Sequence, residues 1–230
     1  DLSDDIWSDM SDVIEMFKYK DKHYVVPYCL SDPLLITYNR SLCEENGLDD
    51  PYELYKKDKW DWDAFMDMMK TFVSNAKDGE TRYGINGWFG QAIVQSTGET
   101  FVKYDGSKFS NNISNPAIEE AEGVMEEIMS LGLYDPTWYG YLPDDGSTLF
   151  FGMADWALGA SNVKADPNPD YEDDGFVEEN DLMIVPFPKQ PGSDEYYLNC
   201  NFGAKMLVKN SDKGDAVAAY IKCERLAAMI

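Results

Sequence analysis

Histidine is almost missing from this chain: His23 is the single one in 230 residues. That argues against a histidine-based metal centre and against a histidine-dependent catalytic triad, for which His23 would be the one base. Cysteine is scarce too. Cys29, Cys43, Cys200 and Cys223 are widely spaced, with no C-x-x-C pair, which excludes a disulfide scaffold and a zinc signature. Basic residues are few, 19 against 43 acidic ones, giving a net charge of −24. Nucleic acids and anionic membranes need Lys/Arg-rich faces, so neither is expected as a partner. The charge favours a neutral or cationic ligand, or serves solubility. No apolar run reaches the length of a membrane span, and no charged-then-apolar signal stretch opens the chain. It opens on Asp1-Leu2-Ser3 without Met, so the numbered sequence is expected to be a piece of a longer one. Internal repeats and low-complexity tracts are lacking as well.

What is present is a globular composition: 44% hydrophobic and 14% aromatic, enough for one large domain or two small ones. The organising stretch is Tyr24 to Asn39. Two β-rich runs, Tyr24–Val26 and Leu34–Tyr38, flank a polar break at Ser31, Asp32 and Pro33. The runs predict strands and the break a change of direction. One strand thus leaves a first lobe, crosses a hinge near Cys29–Pro33, and enters a second lobe. A second crossing is predicted over Tyr196–Val208.

Helices are predicted over Asp4–Phe17, from a capping box at Ser41–Glu44, and from Asp61, where Phe65, Met68, Met69 and Phe72 form one stripe. Asn115-Pro116 opens another, with a stripe of Ala117, Ala121, Val124, Met125, Ile128 and Met129. A last one carries Val217, Tyr220, Ile221 and Leu226. Strands are predicted at Tyr83–Ile85 and Leu182–Pro188, and Leu149–Leu158 is an apolar run interrupted by Asp155. Asp105-Gly106 marks a hairpin. Alternating strands and helices predict an α/β fold.

In order and spacing these pieces resemble the extracellular solute-binding proteins of ABC importers, the family 1, sugar-type group. The matching stretches are Lys22-His-Tyr24-Val-Val-Pro27, Tyr38-Asn39-Arg40, Asn46-Gly47-Leu48, Asp50-Pro51, Trp60-Asp-Trp62-Asp-Ala-Phe65, Tyr83-Gly84, Phe151-Gly152-Met-Ala154 and Val185-Pro186-Phe-Pro188. Two departures stand out. Asp21 occupies a position where the family usually has Gly, and Gly152-Met-Ala-Asp155-Trp156 replaces a Gly-Lys-Ala-Ala-Met run.

The resemblance implies a periplasmic-binding-protein-like (type II) two-lobe architecture with ligand in an interlobe cleft. Residues 1–28 would be a remnant of the first lobe and the first hinge strand. Residues 29–198 would form the second lobe, and 199–230 the second crossing and the return to the first lobe. The implied protein is a monomeric, non-catalytic receptor that passes a carbohydrate to an ABC permease. It needs no cofactor and sits outside the cytoplasmic membrane, tethered by lipid or free in the periplasm.

A sugar offers apolar C–H faces and a rim of hydroxyls, which aromatic rings and planar polar groups match. The resemblance puts the Gly87–Gln91 turn at the cleft, which makes Trp88 and Gln91 candidate ligand residues; the rival readings are a core Trp and a surface Gln. Ser31 and Asp32 lie in the predicted hinge, where Asp32 either accepts hydroxyls or serves the turn before Pro33. Ser161 and Asn162 follow the apolar run where the family often presents a ring. Asn199 and Asn201 alternate on the second crossing, facing the hinge or holding backbone. Trp138, Tyr139 and Tyr141 form either a cleft rim or a loop tucked onto its own lobe. Trp60 and Trp62 are assigned to packing. Cys29 and Cys200, on the two crossings, are either bridged or two thiols. The other functional class open to the chain is a carbohydrate-active hydrolase, which needs two carboxylates flanking a bond; no motif here pairs them. A receptor for another small solute, such as a peptide, is the third.

Overall fold

The computed structural model describes residues 2–138, 140, 142–143, 145–154 and 181–229. In chain order its strands are β1 (Lys18–Tyr19), β2 (Lys22–His23), β3 (Val26–Ser31), β4 (Leu34–Asn39), β5 (Tyr83–Gly87), β6 (Val102–Tyr104), β7 (Phe109–Asn111), β8 (Thr148–Ala154), β9 (Leu182–Pro186) and β10 (Asn201–Lys205). Its α-helices are α1 (Ser11–Met16), α2 (Arg40–Glu45), α3 (Pro51–Lys56), α4 (Trp62–Ser74), α5 (Gly90–Gln95), α6 (Pro116–Ser130) and α7 (Gly214–Ala228). They gather into two units. The smaller comprises Asp1–Asp32, Val102–Asn111 and Cys200–Ile230; the larger comprises Pro33–Phe101 and Asn112–Asn199.

The larger unit is built on a four-stranded sheet in the order β5-β8-β4-β9. β4 is antiparallel to both its neighbours, and β5 is parallel to β8. Every residue of β8 is buried, from Thr148 through the apolar Leu149–Ala154, as expected of a strand covered on both faces. Asp61 caps α4 by accepting the Ala64 N–H at 3.0 Å, and the stripe Phe65, Met68, Met69, Phe72 is buried. Asn115 caps α6 in the same way, through the Ala117 N–H at 2.9 Å. Trp60 and Trp62 are buried and spend their indole N–H groups on the Pro186 carbonyl and the Ser96 hydroxyl, so both belong to the core.

In the smaller unit β3 and β10 pair antiparallel, with Asn201 opposite Ser31 and Gly203 opposite Cys29. Trp7, Met10, Ile14 and Ile221 form its core. The buried Arg225 guanidinium donates to the Ile6 and Tyr28 carbonyls and to the Asp9 carboxylate, joining α7 to the N-terminal segment and β3. The β6–β7 hairpin stacks Phe109 parallel to Tyr19, with ring centres 6.1 Å apart. Asp21, where the family usually has Gly, stands at φ +58° in the turn between β1 and β2; a short polar side chain tolerates that left-handed backbone better than most.

Several expectations need correction. The strand expected at Tyr24–Val26 begins at Val26 and continues to Ser31, because pairing with β10 carries it to the first residue of the expected break, which is left as Asp32 and Pro33 before β4. The helix expected from Asp4 to Phe17 divides into a 3₁₀ segment, Asp5–Met10, and α1. Ser41 and Glu44 form no capping box: the Ser41 N–H and hydroxyl both donate to the Asp181 carboxylate, at 2.6 Å each. On α6, Ile118 is buried and Met129 is exposed. All four cysteines are free. The β3–β10 register accounts for Cys29 and Cys200: Cys29 faces Gly203, three residues beyond Cys200, roughly 10 Å along a strand and too far to bridge.

Candidate ligand-binding site

The structure distributes the sequence-predicted residues over both units. In the larger unit, β5 and β8 run side by side until Gly87 meets Gly152. Two constraints converge at this point. Gly87 stands at φ +85°, and a Cβ on it would lie 2.2 Å from the Gly152 carbonyl oxygen. A Cβ on Gly152 would lie 2.5 Å from the Trp88 carbonyl oxygen. Only two glycines allow the strands to pass so closely. The Trp88 N–H then donates to the Gly152 carbonyl at 2.9 Å, and its side chain is 45% exposed.

That exposure answers the rival reading of Trp88: it is no core ring. Its indole stacks on Trp138, centre to centre 5.4 Å with planes 23° apart, and Trp138 is itself 55% exposed. Beneath Trp138 lies the buried Phe151 of β8, 6.2 Å away. The loop carrying Trp138 therefore rests on its own unit and still shows an aromatic surface outward. α5 begins two residues after Trp88, and Gln91 on it is exposed.

Asn199, in the same unit, is buried: its amide donates to Gln95 of α5 while its backbone carbonyl accepts the Leu34 N–H. In the smaller unit Ser31, Asp32 and Asn201 come together. The Asp32 carboxylate accepts from the Ser31 hydroxyl at 3.0 Å and from the Asn201 amide at 3.2 Å, and Asp32 stands at φ +50°. Ser161 and Asn162 lie outside the described residues, as do Trp156, Tyr139 and Tyr141. Among the described residues no group of three His, Cys, Asp or Glu is placed to hold a metal ion.

The exposed chemistry is thus a pair of indole faces beside a carboxamide on the larger unit, and a carboxylate–amide–hydroxyl trio on the smaller. Indole faces cover apolar C–H surface, and carboxamides both donate and accept. Sequence reasoning missed the Trp88–Trp138 stack and Asn86, whose buried amide donates to the Asp135 and Thr137 carbonyls just before Trp138. The signal for Asn86 was its place beside Gly87 in the Gly-flanked turn. The signal for Trp138 was a cluster of rings in a polar loop, which names no partner 50 residues away.

The family described as bacterial extracellular solute-binding protein matches residues 1–222. Similar solved structures include the sugar-binding protein MalE of Xanthomonas citri, at 15% identity and a TM-score of 0.65, covering 93% of this chain and 51% of that one. The cyclic α-maltosyl-1,6-maltose-binding protein of Arthrobacter globiformis shares 21% identity at a TM-score of 0.62, covering 95% and 52%. A sugar transporter of Rhizobium etli in an open conformation shares 19% at a TM-score of 0.63, covering 96% and 56%. The chain therefore spans about half the length of these structures, and the likeness is one of mixed α/β fold. No curated relative matches.

Proposed function

This chain belongs to the bacterial extracellular solute-binding protein family, and from that premise we propose that it captures a mono- or oligosaccharide on the Trp88 surface without turning it over. The observation that carries the reading is the Trp88–Trp138 stack: two large rings held outward at a strand end that two glycines keep open. Solvent-exposed indoles held this way suit the apolar face of a pyranose. Gln91, exposed on α5, takes ring hydroxyls beside Trp88. A missing hydroxyl then leaves a polar group unpaired, which is how such a site selects among sugars.

The proposal includes bending at the passages 32/33 and 199/200. On one side of them Ser31 pairs with Asn201, and on the other the Leu34 N–H donates to the Asn199 carbonyl. It also includes delivery to an ABC permease from outside the cytoplasmic membrane, on a lipid tether or free in the periplasm. Among the described residues no helix is long and apolar enough to cross a membrane.

The test is calorimetric titration of the chain with maltose, maltotriose, lactose and xylobiose, each then recovered and checked for cleavage. The reading expects saturable binding of at least one sugar, returned intact. Hydrolysed sugar would put the chain in the hydrolase class, and absence of heat from all four would remove carbohydrate as the guest.

A further inference from the structure

We propose that Asn86 is the positioning residue of the aromatic surface: it holds Trp138 against Trp88, so that Trp88 presents its outer face ready-made to a guest. The inference rests on the reading of Trp88 as a stacking ring for a sugar. Asn86 is the penultimate residue of β5 and is 1% exposed. Its amide nitrogen donates to the Thr137 carbonyl at 2.6 Å and to the Asp135 carbonyl at 3.3 Å, which uses both its hydrogens. Asp135 is buried as well; its N–H donates to the Ile85 carbonyl at 3.0 Å, and its carboxylate accepts the Thr137 N–H at 2.9 Å. Residues 135–137 are thereby fastened to the end of β5, and the next residue is Trp138.

Trp138 is more than half exposed, so burial alone does not fix its ring. The clamp behind it does. The ring centres are 5.4 Å apart. A pyranose slid between two indoles needs roughly 7–8 Å between them, twice the contact distance of carbon atoms. The inner faces therefore serve each other, and a sugar meets an outer face. Ordering two exposed tryptophans only when the sugar arrives would cost affinity; a clamp that orders them on folding removes that cost from binding. Asn is suited to the place because two carbonyls converge there, and only a two-hydrogen donor satisfies both.

The test is Asn86→Asp, which keeps the shape but turns acceptor oxygens toward two carbonyls. Two stacked indoles give an exciton couplet in far-ultraviolet circular dichroism, and Trp138→Ala defines the signal that remains without the pair. In Asn86→Asp the couplet is expected to fall to the Trp138→Ala level. Affinity for the tightest of maltose, maltotriose, lactose and xylobiose is expected to weaken roughly three- to tenfold. A variant with a lower Tm but the wild-type couplet would overturn the inference, since a merely structural residue behaves that way. Should Asn86→Asp fail to fold, Asn86→Ser, which donates a single hydrogen, is read against the same standard. The couplet is measured without sugar. Its loss in a protein that binds none of the four would uphold the clamp while removing the carbohydrate reading.

Discussion

Asp50 concentrates several roles in one side chain. Its burial pushes the carboxyl up, but the Tyr38 hydroxyl, the Tyr52 N–H and the Arg40 guanidinium all donate to it and hold it below the usual carboxylate range. The folded state therefore keeps Asp50 ionised at pH values where the unfolded chain is already taking up a proton. The stability this confers is fully present above about pH 4, the unfolded value, and is lost as pH falls through the depressed folded value. Between pH 6 and pH 3, the urea midpoint of Asp50→Asn is expected to drop less than that of the wild type. Equal drops would mean that Asp50 is not linked to acid unfolding. The same residue shows what was legible beforehand. Asp50-Pro51 stands out in the sequence, and Pro at the first helical position explains α3; the hydroxyl of Tyr38, arriving from β4, has no local signature.

At the scale of elements, periodicity gave α4, α6 and α7 because amphipathic helices write their buried faces into the sequence every three or four residues. Ser41 departs from its local pattern for the opposite reason. Its partner Asp181 comes from 140 positions away, and local pattern cannot report a long-range acceptor. The turn after β5 was readable as unusual, but its consequence, a parallel crossing of Gly87 and Gly152 that throws Trp88 outward, needed the pairing of β5 with β8. That crossing is testable. Gly152→Ala drives a methyl into the Trp88 carbonyl, and backbone has to shift to admit it. A loss of about 1–3 kcal/mol is expected from urea unfolding, together with weaker sugar binding. Unchanged stability would show that the strands are not so close.

At the scale of the whole molecule, the excess of acidic residues matters more than any single ion pair. With a net charge of −24 the folded chain repels itself, and compactness concentrates that repulsion. Added salt is therefore expected to raise Tm, by about 2–4 °C for each kcal/mol of repulsion relieved, even though it weakens pairs such as Lys222–Asp4. A Tm that falls between 0.02 M and 0.5 M salt would put the ion pairs in control instead. The α/β class was readable from the alternation of elements, and the family from the order of short stretches. The identity of the guest was not, because selectivity lies in the distances between polar groups that sequence brings from separate elements. The central claim is that Trp88 is the surface on which a sugar lands, and the ratio of dissociation constants for the tightest-binding sugar between Trp88→Ala and the wild type measures it most directly. The account predicts at least a tenfold weakening, about 1.4 kcal/mol, with the variant still folded; equal constants in a protein that binds sugar would contradict it.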